Sequence, residues 1–97
     1  DIYAIVKTFP ENERFGLVSQ LCRASSSIYA NLLEGSNRIS SKEYRQFVGI
    51  ARGSAGELKY HLLLAKDLSY ISLEKYNDLA GKASEISKML TGLIKTL

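Results

Sequence analysis

Residues 41–69, SKEYRQFVGIARGSAGELKYHLLLAKDLS, carry the pattern that decides the fold. Phe47, Ala51, Ser54, Leu58, His61, Ala65 and Leu68 follow one another in steps of four and three. That spacing returns side chains to one face of an α-helix, and Ser40 or Ser41 can cap its start. A second set, Arg45, Arg52, Lys59 and Lys66, recurs every seven residues. At about 100° per residue, a seven-residue step returns to within roughly 20° of its origin. The four cations therefore form a slowly drifting row roughly 30 Å long. None of them has an acidic residue three or four positions away, where a helix would place a neutralising partner. Projection sets the row nearly opposite the seam. An unpaired row of this kind requires plain solvation, an acidic partner helix, or a polyanion.

Downstream, Ser72 can cap a further helix whose seam is Tyr76, Leu79, Ala83, Ile86, Leu90, Leu93 and Leu97, again in steps of three and four. Two such helices joined by a short loop at Tyr70-Ile71 are expected to pack antiparallel at about 20°. The charges of residues 72–97 interleave, with Asp78 four before Lys82 and Glu85 three before Lys88, as on a solvated face. Upstream, Phe15, Val18, Leu21, Cys22, Ile28, Tyr29, Leu32 and Leu33 give a broad apolar face to a helix from about Glu11 to Glu34. Pro10 ends whatever helix precedes it, Glu11 and Glu13 suit a first helical turn, and Gly35 supplies the stop. Ile2, Tyr3, Ile5 and Val6 look like the end of another helix, too short at roughly 12 Å to match its partners. The chain begins at Asp1, not methionine, and residues upstream are expected. The reading is an all-α, antiparallel up-and-down four-helix bundle, one domain over 1–97, with its first helix truncated.

Composition agrees with a globular chain: 97 residues, 45% hydrophobic and 24% charged. There is no apolar run near the 18 residues of a membrane span, and no secretory pattern, so the expected compartment is cytoplasmic. The lone cysteine, Cys22, cannot staple the fold and reads as core filler. Net charge is +3, and the excess sits in residues 38–59, where Arg38, Lys42, Arg45, Arg52 and Lys59 outnumber Glu43 and Glu57.

Three glycines, Gly49, Gly53 and Gly56, lie inside the long helix, at about 1 kcal/mol each relative to alanine. Gly49, Gly56 and Leu63 project near the basic row, where glycine permits another backbone to approach. Local flexibility, a subunit contact and a nucleic-acid backbone all remain open there. Tyr44 and Tyr60 adjoin Arg45 and Lys59; they stack on RNA bases or, as boundary tyrosines more often do, pack their rings with the hydroxyl wet. His61 is the only histidine. Di-iron bundles need several carboxylates and two Glu-x-x-His elements, so a metal reading has no second histidine to use, and a hydrogen-bonded boundary histidine is expected. Asn31, Glu34, Ser54 and Glu57 are expected to satisfy one another or the backbone between the second and third helices. No nucleophile-base pair, metal set or phosphate loop is present in the sequence, so no catalytic residue and no cofactor is assigned.

A series of short words runs through nearly the whole chain: Phe9-Pro10, Phe15-Gly16-Leu17, Gln20-Leu21, Ser27-Ile28, Asn31-Leu32, Glu34-Gly35, Arg38, Phe47, Ile50-Ala51, Gly53-Ser54, Glu57-Leu58 and Leu68 to Ile71. In that order they resemble the 23S rRNA intervening-sequence protein family. The resemblance implies an antiparallel four-helix bundle assembling as a ring-like homopentamer, with no enzymatic activity. Members are encoded within intervening sequences of bacterial large-subunit rRNA genes or elsewhere in bacterial genomes. A related branch, the accessory protein of diversity-generating retroelements, is a basic pentamer that binds nucleic acid and a reverse transcriptase. The chain departs from the family pattern at its amino end, where a fuller first helix is usual, and at Gly56, where a larger residue is. The expected function is RNA or DNA binding without sequence readout, with Arg38, Lys42, Arg45, Arg52, Lys59 and Lys66 on phosphates. The alternative is a protein-interaction scaffold whose basic row meets a neighbouring subunit or client protein.

Overall fold

A computed structural model describes all residues 1–97 and contains four α-helices and no strand. Helix α1 spans Ile2–Val6, α2 Leu17–Ser36, α3 Ser41–Asp67 and α4 Leu73–Thr96, with a short 3₁₀ turn at Glu11–Glu13. α3 packs against α2 on one side and α4 on the other. The five-residue α1 contributes Ile2 to the core, with Ile5 and Val6 packed beside it.

The start of α2 differs from the sequence expectation. Residues 11–13 form the 3₁₀ turn, and the α-helix begins only at Leu17, after Gly16 (φ −102°, ψ −106°). Glu13 holds this entry. Its Oε1 accepts a hydrogen bond from Leu17 N at 3.4 Å, and its Oε2 accepts one from the Tyr70 hydroxyl at 2.7 Å. Tyr70 also packs on buried Phe9, ring centroids 5.3 Å apart. Residues 9, 13 and 70 thus tie the entry of α2 to the loop between α3 and α4.

Gly35 is not a stop. It lies inside α2, fully helical and buried, and a Cβ there would meet Phe47 Cβ at 2.7 Å and Tyr44 Cδ1 at 2.9 Å. A hydrogen atom at this position is what lets the end of α2 touch the start of α3. α3 itself starts as expected, with Ser40 Oγ accepting from Glu43 N at 3.2 Å. It ends in a Schellman arrangement: Ser69 N donates to Lys66 O and Tyr70 N to Ala65 O, both at 2.9 Å, with Ser69 left-handed at φ 62°. Ser72 caps α4 by accepting from Lys75 N at 3.0 Å.

The buried arc of α3 is Val48, Ala51, Ser54, Ala55, Leu58, Leu62 and Ala65. Four of these were in the expected seam; Phe47 and His61 are only half-buried, and Leu68 is exposed. By helical projection the arc is turned roughly 45° toward α4. The cause is the central position of α3. A helix with a neighbour on each side buries a wider stripe than a two-helix seam, and alanines 51, 55 and 65 let both neighbours come close. On α4 the seam is as read: Leu79, Ala83 and Leu90 are buried, and Tyr76, Ile86, Leu93 and Leu97 pack half-buried against them. On α2, Leu21 and Ile28 are buried together with Leu17 and Ala24. Phe15, Tyr29 and Leu33, expected inside, are 89%, 66% and 67% exposed.

Candidate nucleic-acid interface

The turn of the core arc relocates the basic row. With the arc rotated toward α4, Arg45, Arg52, Lys59 and Lys66 stand roughly 90° from its centre, on the flank beside α4, and not opposite the core. Two contacts fix this placement. Arg52 Nη1 donates to Thr91 Oγ1 at 3.3 Å, and Lys66 Nζ lies 5.5 Å from the centroid of the Tyr76 ring. Thr91 is held in turn by donating to Ser87 O at 2.9 Å. Arg45 and Arg52 are exposed; Lys59 and Lys66 are half-buried, their stems lying on apolar surface while the charge reaches water.

Arg45, Arg52 and Lys59 make no ion pair, as the absence of acids at helical spacing implied. Lys66 does, because its immediate neighbour Asp67 bends back to 3.2 Å. Lys42 is exposed and unpaired, three residues before Arg45. Arg38 stands apart. Its guanidinium pairs with Glu34, lies 3.8 Å from Glu43 and sits 4.8 Å above the Phe47 ring. This clasps the turn between α2 and α3, so two carboxylates already occupy the charge that a phosphate would need.

The polar residues between α2 and α3 divide into two groups. Ser27 Oγ and Ser54 Oγ share a hydrogen bond of 2.8 Å, and Asn31 Nδ2 donates to Ser27 O at 2.8 Å and to Ser27 Oγ at 3.0 Å. Glu34 and Glu57, expected in the same network, are exposed and turn to arginines instead. Glu34 pairs with Arg38, and Glu57 with Arg23 at 3.9 Å. Ser27 was missed because a serine among serines 25, 26 and 27 gives no periodic signal.

His61 was expected to be hydrogen-bonded. Its ring lies edge-on to Tyr60 with centroids 5.3 Å apart, and Nδ1 is buried with no partner in the chain. It lines an open groove of about 540 Å³ between α2 and α3 with Gln20, Arg23, Glu57 and Tyr60. No three His, Cys, Asp or Glu side chains converge there or elsewhere as a metal-binding group. Cys22 is half-buried, and desolvation pushes its thiol pKa up, the direction of an unreactive thiol. The hydrogen bond to the Glu13 carboxylate raises the pKa of Tyr70, with desolvation and the negative charge acting in the same sense.

The glycines of α3 contribute a different surface. Nothing lies within 4 Å of where a Cβ would stand on Gly49, Gly53 or Gly56. None of them is required by packing within the protomer. They form a smooth strip on the outer side of α3, next to the row but facing away from α4. No helix is long and apolar enough to cross a membrane.

The fold has a counterpart among solved structures. A protein of unknown function from the S23 ribosomal protein family of Bacteroides thetaiotaomicron is 30% identical, with a TM-score of 0.85 over 96% of this chain and 84% of that one. No curated protein is significantly similar to the chain. Residues 1–92 match the family described as 23S rRNA-intervening sequence protein, and the chain belongs to that family.

Proposed function

We propose that this protein is a non-enzymatic, oligomeric helical bundle that binds the phosphate backbone of RNA or DNA without reading sequence. The observation that carries the reading is the α4-side flank of α3. There, Arg45, Arg52 and Lys59 present charge that no carboxylate of the chain neutralises. Lys66, partly offset by Asp67, extends the row, and Lys42 extends its amino end. Cations held on a rigid helix at intervals of roughly 10 Å suit a polyanion, whose affinity comes from releasing condensed counterions. Arg38, engaged by Glu34 and Glu43, has a supporting role at the helix turn.

Self-association has separate support. Phe15 just before α2, and Tyr29 and Leu33 on it, leave large apolar groups in water, and the glycine strip leaves the outer side of α3 open to a second backbone. A ring of copies, a pentamer in the family pattern, would bury both and repeat the basic flank around its surface.

The test is binding of a generic RNA across a salt series by the parent and by a variant with Arg45, Arg52, Lys59 and Lys66 changed to Glu. The parent is expected to bind with steep salt dependence, each lost cation lowering the slope of log K against log salt by about 0.7 to 0.9. Equal binding by the variant at low salt rejects the reading. The scaffold alternative is favoured by one observation, Leu63 exposed beside the glycines and the row. Sedimentation at two salt concentrations decides between them: an oligomer that falls apart as salt rises in the absence of nucleic acid supports the scaffold, and one that persists while releasing co-purified nucleic acid supports backbone binding.

A further inference from the structure

The Arg52–Thr91 contact shows which face of α4 meets the basic row, and that face carries cations of its own. Lys88 lies three residues before Thr91 and Lys95 four after it, the two spacings that share a helix face. Both are exposed and neither makes an ion pair. The Asp78–Lys82 pair anticipated from spacing forms at 3.6 Å, but the Glu85–Lys88 pair does not. Lys88 is therefore free, although the sequence assigned it a partner. Lys82, whose charge is engaged, belongs to the other side of α4, beside Tyr3 and Ile86.

Given the backbone-binding reading above, we infer that the polyanion surface spans two helices, with Lys88 and Lys95 forming a second row beside Arg45, Arg52 and Lys59, and that its preferred ligand is a nucleic-acid duplex. Packed helices stand about 8 to 10 Å apart, and a seven-residue step covers roughly 10 Å, so the five cations form a two-rail array. Such an array is wide enough to meet phosphates of both strands, where a single row tracks only one. The aromatic side chains point the same way. Single-strand binders stack bases on exposed rings. On this flank the Tyr76 ring is covered by Lys66. Tyr44 packs on Gly35 and Tyr70 bonds Glu13; Tyr60 is 63% exposed, but its ring lies against His61 on the α2 groove, off the α4 flank. A duplex needs no stacking platform. It offers a phosphate charge every 1.7 Å or so of axis, and its counterion release per contact, about 0.9, exceeds the roughly 0.7 of a single strand.

Fluorescence anisotropy with a short RNA duplex and a single strand of equal length tests this in the full chain. The variants are Lys88→Glu with Lys95→Glu and, at identical charge change, Lys75→Glu with Lys82→Glu. The expected result is a duplex preference in the parent. The Lys88/Lys95 variant should lose at least tenfold in duplex affinity at low salt, with a slope lower by about 1.8, and the Lys75/Lys82 variant less than threefold. Equal losses in the two variants, parent-like binding by the Lys88/Lys95 variant, or preference for the single strand would overturn the inference and leave backbone binding standing. A parent that binds neither probe overturns backbone binding and this inference together.

Discussion

The two flanks of α3 are built from the same helix and treat charge in opposite ways. On the α2 side each cation has a carboxylate: Arg23 meets Glu57, and Arg38 meets Glu34 and Glu43. On the α4 side Arg52 meets a hydroxyl, Lys66 meets a ring and its own neighbour, and Arg45 and Lys59 meet no acid at all. The close packing also differs. Gly35 brings α2 against Phe47 and Tyr44, and the Ser27–Ser54 hydrogen bond crosses that seam, while the glycines of α3 lie on neither flank and face open space on its outer side. A net charge of +3 describes neither flank. What distinguishes them is whether the local acids lie within reach.

The sharpest way to break this comparison is a charge-matched reversal. Arg23→Glu with Arg38→Glu is expected to leave RNA affinity within a few-fold of the parent once net charge is allowed for. Reversing two residues of the α4 flank, Arg45→Glu with Arg52→Glu, is expected to lower it at least tenfold and flatten the salt slope by about 1.4 to 1.8. Equal losses would mean that net charge alone governs binding.

The packing contrast gives the next effect. Gly35→Ala forces a methyl group into Phe47 Cβ, which cannot swing away, and is expected to destabilise by about 1 to 3 kcal/mol in denaturant unfolding. Gly56→Ala meets nothing within the protomer and is expected to stabilise it by up to about 1 kcal/mol. A Gly56→Ala protein that unfolds more readily than the parent would place another copy against the outer side of α3.

The smallest effect concerns the hydrogen bond that joins α2's entry to the α3–α4 loop. The Tyr70 phenol is raised in the fold by its bond to Glu13, so the stability this bond supplies is present below pH 10 and lost as pH rises above it. Melting temperature measured from pH 8 to 11 should fall less steeply for Tyr70→Phe than for the parent. Identical slopes would show that the bond is not formed in solution.

Much of the architecture was legible because helical period, serine caps and breakers are local properties. Ser40 and Ser72 cap where the sequence placed them, and the α4 seam is buried in the expected register. Gly35 misled because a glycine near a helix end has two uses. The stop it signals and the close approach it permits leave the same letter in the sequence. The seam of α3 was placed off centre because Val48, Ala55 and Leu62 are as apolar as the residues chosen, and only the position of α4 decides between them. The candidate site was half legible for the same reason.

The sequence by itself determined the all-helical character, the register of the long helix and the four-cation row, since each follows from spacing along one chain segment. The tertiary structure alone settles which side of that helix the row occupies, which acids reach which cations, and that Arg52 reaches Thr91 on α4. These depend on distances between residues about 40 positions apart, set when α4 packs against α3, and spacing along the chain carries no trace of them.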